Sequence, residues 1–388
     1  MTPMRLSTRE MIDRLISFDT TSRNSNLELI SFVEDYLASH GVASQRVVNE
    51  DGSKANLFAT IGDASKPGGI VLSGHTDVVP VDGQDWSSDP FGVVEKDGML
   101  FGRGTSDMKS FIAIALVMVP EFLKRGPAIP VHLAFSYDEE IGCLGVRPMI
   151  DSIVRELPRP AVAIVGEPSM MKVVNAHKSI QSYFTTVTGL ESHSSATDKG
   201  VSAIFYAMEL IGFLGKLAEE MRGRSPAGCR FAPPYTTINV GVVKGGTAVN
   251  IIPRKCEFGW EYRALPDDDP DEIITRFTAF AEEDVLPRMR EVYPQARIET
   301  RERAKAPGLV PETGSPAETL ILKLAQCNET EAVSYATEAG LFQMADVPTL
   351  VCGPGDIAQA HKPDEFIALS QIAECERFMM RLAEHVAG

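Results

Sequence analysis

The chain has 388 residues and a hydrophobic content of 44%, enough to bury a sizeable core spread over about two or three domains, which argues against a largely disordered protein. Its 53 acidic residues against 37 basic ones give a formal charge of −16, a field that repels phosphate backbones and disfavours nucleic acid as a partner. The opening MTPMRLSTREM has no apolar signal core, and no apolar run is long enough to span a bilayer; a cytoplasmic chain with no membrane partner is expected.

In chain order, Ser7 with Glu10 and Ser25 with Glu28 have the spacing of capping boxes and predict two opening helices, the second stopped by Gly41. Short β-branched runs follow at 69–74, 130–135, 161–165 and 348–352, interleaved with helical segments such as 108–125. This alternation predicts an α/β catalytic domain with a mixed, largely parallel sheet flanked by helices. Between them, a strand (181–188), a helix (200–222), two strands (236–243 and 255–263), a helix (270–291) and a strand (296–302) spell β-α-β-β-α-β. That order is ferredoxin-like and predicts an inserted domain at 180–304 that divides the catalytic domain into 1–179 and 305–388. The acidic run 267–271 reads as a solvated turn leading into a helix N-terminus.

The six cysteines are scattered with no C-x-x-C pair, so neither a disulfide framework nor a thiolate zinc site is indicated and any metal must use His and carboxylates. Such groups fall just past the buried strands: His75 and Asp77, then Glu139 and Glu140, then Glu167, and finally His361. The carboxyl ends of strands are where sites assemble in open α/β sheets, so groups distant in sequence can converge there. Asp107 stands at the start of the long apolar helix, where a helix cap is as good a reading as a ligand. Each histidine taken alone reads more readily as structural; joint placement is what points to metal. Two imidazoles with several carboxylates suit Zn²⁺ and tolerate Co²⁺. Two such ions polarise an amide carbonyl and activate water, while a free carboxylate such as Glu139 shuttles the proton.

At SGHTDVVPVDGQDWSSDPF, DGMLFGRGTSDMKSF, DEEIGCLG, IVGEPS, GGTAVNIIPRKCEF, YATEAGLFQ and GPGDIAQAHKPDEFI the sequence resembles the M20 family of metallopeptidases and deacylases, with the acetylornithine deacetylase branch nearest in motif. The resemblance implies two zinc ions per subunit, one on His75, Asp107 and Glu167 and the other on Asp107, Glu140 and His361, with Asp107 bridging. It further implies a cis peptide after Asp107, Asp77 orienting His75, and Glu139 as general base. The inserted domain is then a lid and dimerisation domain of a homodimer. His193 would stabilise the tetrahedral oxyanion, and Asn250 and Arg263 would hold the substrate carboxylate.

The implied reaction is removal of the acetyl group from N2-acetyl-L-ornithine in arginine biosynthesis, with Glu338 facing the cationic end of the small N-acyl amino acid. Thr337 and Glu338 read equally as helix caps. Succinyl-diaminopimelate, or the substrate of another amino-acid acylase of the family, is the alternative, and a catalytically silent metal-binding scaffold the alternative outside enzymology. Thiol chemistry at Cys143 or Cys352 is a further reading, against which buried packing is the commoner fate.

Overall fold

Four short aliphatic runs make the centre of the fold. In the computed structural model, which describes residues 3–388, Val131–Ser136, Ile70–His75, Val162–Pro168 and Thr349–Gly353 lie side by side and parallel. Every residue of the four is buried, because a parallel strand covered on both faces carries an unbroken apolar run in place of an alternation. Ala55–Ile61 and Ser44–Val48 extend one side antiparallel, and Val173–His177 and Thr330–Val333 extend the other, for eight strands in one mixed sheet.

Helices cover this sheet. Thr8–Ile16 starts on a complete capping box between Ser7 and Glu10. The second helix, Leu27–Ser39, corrects the expected Ser25–Glu28 box: Asn26 takes the cap position, and Ser25 instead donates its hydroxyl to the Ser53 carbonyl at 2.6 Å. The reason is tertiary. Asn26 is drawn inward, where its amide donates to the Ala55 carbonyl and the Thr76 hydroxyl, both at 2.9 Å, and accepts the Ala55 N–H at 3.0 Å. The expected single helix over 108–125 is two, Lys109–Val117 and Val119–Arg125, because Pro120 lies in the first turn of the second and brings no N–H. Lys109 to Leu116 are buried on all sides, as an apolar helix surface requires.

Two glycines set how tightly the sheet closes at its functional end. A Cβ on Gly166 would lie 2.1 Å from the Phe111 ring, and one on Gly353 would lie 1.9 Å from the Gly166 carbonyl oxygen. The ladder between Val162–Pro168 and Thr349–Gly353 shifts register between Val351 and Gly353, a local bulge beside Glu167.

The described chain divides into two compact units. Residues up to Ala176 with Leu309–Ala332 and Thr337–Gly388 form the first, and His177–Gly308 with Val333–Ala336 form the second. The second holds a four-stranded antiparallel sheet in the order Thr237–Gly245, Lys255–Arg263, Ile180–Thr188, Arg297–Ala306. Ala203–Gly223 and Glu272–Ala279 are its main helices. The latter runs through a π-helical stretch, Phe280–Val285, into Leu286–Val292, where Pro287 withholds an N–H and the helix widens. Phe258, Trp260, Tyr262 and Phe277 fill its core. Among the described residues no helix is long and apolar enough to cross a membrane.

Candidate metal centre

His75 is the last residue of its strand, Glu167 lies near the end of Val162–Pro168, and Glu139 and Glu140 follow Val131–Ser136 by a tight turn in which Asp138 has φ 57°. Asp107 immediately precedes a cis peptide to Met108; the helix cap falls on Met108, so Asp107 does not serve as the cap. His361 sits in a loop with φ 64°. These groups meet. His75 Nε2 lies 3.0 Å from Asp107 Oδ1 and 3.6 Å from Glu167 Oε1, while His361 Nε2 lies 3.0 Å from Glu140 Oε2 and 3.3 Å from Asp107 Oδ2. Asp107 therefore presents one oxygen to each imidazole. Potential ligand atoms of His75, Glu139 and Glu167, and of His75, Asp107 and Glu140, fall within 4.8 Å of one another.

The electrostatics of the cluster call for cations. Burial first, and then neighbouring carboxylates, push Glu139 and Glu167 well above the ordinary carboxylate range; Glu140 rises to about 7 from burial and Asp107. Burial would raise Asp107 too, but its bonds to His361 and His75 hold it below the ordinary range, and the same bonds with Asp107 and Glu140 lift His361 to about 10. Glu167 Oε1 is buried with no hydrogen-bond donor. An uncompensated group of buried carboxylates and an orphaned oxygen, combined with two imidazoles, fit divalent cations of the nitrogen- and oxygen-loving kind.

Asp77 organises the cluster from beneath. His75 Nδ1 lies 2.9 Å from the Asp77 carbonyl oxygen, closer than the 3.6 Å to its carboxylate. That carboxylate instead accepts the backbone N–H of Glu139 at 3.1 Å, the N–H of Glu140 at 3.3 Å and the Ser22 hydroxyl at 2.7 Å. Lys54 pairs with Asp138 and pins the same turn from outside.

Glu338 is 1% exposed, and its carboxylate accepts hydroxyls from Ser136 and from Ser73, the latter at 3.3 Å. Burial pushes it up to about 7, against the Ser136 bond. The expected contact with a substrate's cationic end therefore meets a side chain already enclosed between two strands. Thr337, by contrast, accepts the Ala339 N–H at 3.0 Å and supplies the turn. Cys143 donates to Glu139 Oε1 at 3.3 Å, and burial holds both its thiol and that of Cys352 well above the ordinary range, so neither supplies a ready thiolate.

In the second unit, His193 pairs with Ile251 in a short ribbon, and Ser194 N–H donates to the Asn250 carbonyl at 3.1 Å, bringing His193 and Asn250 together. Arg263 closes the strand Lys255–Arg263 with its Nε donating to Glu261 at 3.2 Å. Sequence reasoning missed Arg103, Gln84 and Glu365. Arg103 is 1% exposed and pairs at 2.7 Å with Glu365, 262 residues away. The Asp-Glu pair after His361 was the available signal.

Metal-competent side chains gathered at one end of a largely parallel sheet fit a metal-dependent hydrolase. The chain belongs to the peptidase family M20/M25/M40, whose family model matches residues 71–385. It is 34% identical over 373 residues to the acetylornithine deacetylase of Proteus mirabilis (strain HI4320), covering 95% of this chain and 92% of that protein. It is also 34% identical over 388 residues to the acetylornithine deacetylase of Myxococcus xanthus, covering 98% and 97% respectively. The fold is shared with an M20 family metallo-carboxypeptidase of Sulfolobus solfataricus at a TM-score of 0.78 and 15% identity, covering 98% and 99%. The chain is a metal-dependent amidohydrolase, which sets aside the silent scaffold.

Proposed function

We propose that the chain hydrolyses N2-acetyl-L-ornithine to L-ornithine and acetate, in arginine biosynthesis, with two zinc ions per subunit that Co²⁺ can replace. The observation that carries this reading is the placement of one Asp107 oxygen at 3.0 Å from His75 and the other at 3.3 Å from His361, a bridging disposition, together with the deacetylase relatives.

In this reading His75, Asp107 and Glu167 hold one ion, and Asp107, Glu140 and His361 the other. When bound, the pair supplies Lewis-acid polarisation of the amide carbonyl and lowers the pKa of water toward neutrality. Glu139 takes the proton of that water and passes it to the amide nitrogen, which leaves only once protonated. Burial raises Glu139 above the ordinary carboxylate range, which favours its taking up a proton, and bound cations would oppose that rise. Asp77 orients His75 and holds Glu139 and Glu140 by their amides. His193 Nδ1 accepts the Ser195 N–H at 3.2 Å and lies 2.7 Å from the Ser195 hydroxyl, which leaves Nε2 to meet an oxyanion. Asn250 and Arg263 bind the substrate carboxylate.

Homodimerisation through the second unit is supported by exposed apolar side chains at Phe205 (73%), Met208 (60%) and Val249 (102%) beside the edge strand Thr237–Gly245. All six cysteines are free, in keeping with a reducing cytoplasm. Metal analysis combined with hydrolysis assays on acetylornithine, acetyl-leucine and succinyl-diaminopimelate tests the reading. Glu139→Gln is expected to keep its metals and lose kcat by about 10²–10⁴-fold. A zinc-replete protein inert toward acetylornithine, or an active Glu139→Gln, overturns it.

A further inference from the structure

We propose that Glu365, neutralised by Arg103, is a positioning residue that holds Asp107 and His361 at the spacing two metal ions require. The inference rests on the assignment of those two residues as ligands made above.

Asp107 ends a turn whose backbone would otherwise leave several buried N–H groups unpaired. Glu365 takes them up: Oε1 accepts the N–H of Gly104 at 3.1 Å, of Ser106 at 2.8 Å and of Asp107 itself at 3.0 Å. Its own carbonyl accepts Gly102 N–H at 2.9 Å. Four donors on one residue fix the turn at both ends. A carboxylate so placed, 1% exposed, needs a counter-charge, and Arg103 Nη1 supplies it at 2.7 Å from Oε2.

Arg103 also reaches the other ligand. Its Nη2 donates to Gln84 Oε1 at 2.7 Å, and Gln84 Nε2 donates to the His361 carbonyl at 3.0 Å. That carbonyl belongs to a residue in the left-handed region, φ 64°, with Asp364 also there at φ 55°. An L side chain adopts such a backbone uncommonly, and contacts that hold it there favour one geometry of the loop. Ser87 adds to the restraint, its N–H and hydroxyl donating to the Asp364 carboxylate at 2.8 and 2.7 Å. One buried ion pair thus sits between the turn carrying Asp107 and the loop carrying His361. The carboxylate is in the ligand-bearing segment itself, four residues past His361, so a shift of either segment is felt by the other.

The test is Co²⁺ titration into metal-free protein, read by visible absorption, on the wild type, Glu365→Gln and Gln84→Ala. In Glu365→Gln an NH₂ group must face either the backbone N–H donors or Arg103, and the expected result is a Co²⁺ affinity about 10–100-fold weaker with an altered absorption envelope. Gln84 is half-buried and its removal leaves the ion pair intact, so Gln84→Ala guards against a Glu365 variant that does not fold; it is expected to weaken Co²⁺ binding in the same direction. A purely structural role would lower the melting temperature of the metal-free protein and leave the affinity and spectrum of the folded fraction unchanged. Unchanged affinity and spectrum in folded Glu365→Gln overturns the proposal, as does unchanged affinity in Gln84→Ala if the first variant cannot be folded. A wild type that binds no Co²⁺ sinks the ligand assignment and this proposal together, whereas normal wild-type binding matched by the variants sinks this proposal alone.

Discussion

Asp77 and Glu139 are joined across 62 residues by a hydrogen bond from the Glu139 backbone N–H to Asp77 Oδ1 at 3.1 Å. The carbonyl of the same aspartate faces His75 Nδ1 at 2.9 Å, so one residue sets both an imidazole and the turn of the proposed base. Asp77→Asn would turn an NH₂ toward the Glu139 or Glu140 amide or toward the Ser22 hydroxyl. We expect kcat to fall about 10–100-fold and metal affinity to drop alongside it, with KM little changed. Steady-state kinetics at saturating metal checks this, and an unaltered kcat would leave Asp77 a packing residue.

Glu338→Ala separates a substrate contact from a structural one. Its removal strands the Ser73 and Ser136 hydroxyls, at about 1–3 kcal/mol for each buried group left unpaired. Stability to urea is expected to fall while the preference for acetylornithine over acetyl-leucine stays where it is. A change in that preference would return Glu338 to the substrate.

Gly353→Ala puts a methyl group 1.9 Å from a backbone oxygen, with no flexible side chain to give way. The strands bearing Gly166 and Gly353 must separate, at about 3 kcal/mol or more, and Glu167 moves with them. Thermal unfolding reads the first effect and metal affinity the second. A variant of wild-type stability would mean that this strand contact has slack.

Acid should weaken the fold through two buried histidines. Burial lowers His132, which faces the Thr60 hydroxyl, and His177, whose Nδ1 faces the Lys178 carbonyl, from 6.5 to about 4. At these two positions the unfolded chain therefore binds more protons between about pH 6.5 and 4. Their contribution to stability is full above that window, falls as pH drops through it and flattens below it, by roughly 3–3.5 kcal/mol for each histidine, while the raised carboxyls of Glu140 and Glu338 act in the opposite direction. Urea unfolding of metal-free protein across the window should show His132→Gln losing less stability on acidification than the wild type. An identical slope would remove His132 as a titrating group.

The central strands were legible because their apolar runs are local: 69–74 and 130–135 foretell Ile70–His75 and Val131–Ser136 from side-chain pattern alone. The β-α-β-β-α-β order of the second unit was legible for the same reason. Where a side chain had two possible partners the pattern failed. Ser25 and Asn26 are both good caps, and only the strand at Ala55 decides that Asn26 turns inward.

By itself the sequence determined the strands, the family, and which residue types stand past each strand end, since these depend on neighbours a few positions apart. Tertiary structure alone decided what each carboxylate faces. Asp107, Glu140 and Glu167 face imidazoles, whereas Asp77, Glu338 and Glu365 are occupied by backbone amides, serine hydroxyls and a guanidinium. Chemically the six are the same group. Their roles separate only when chain closure over tens to hundreds of residues brings each one its partner, and in a low-dielectric interior that partner sets whether the charge is spent on the fold or left for a cation.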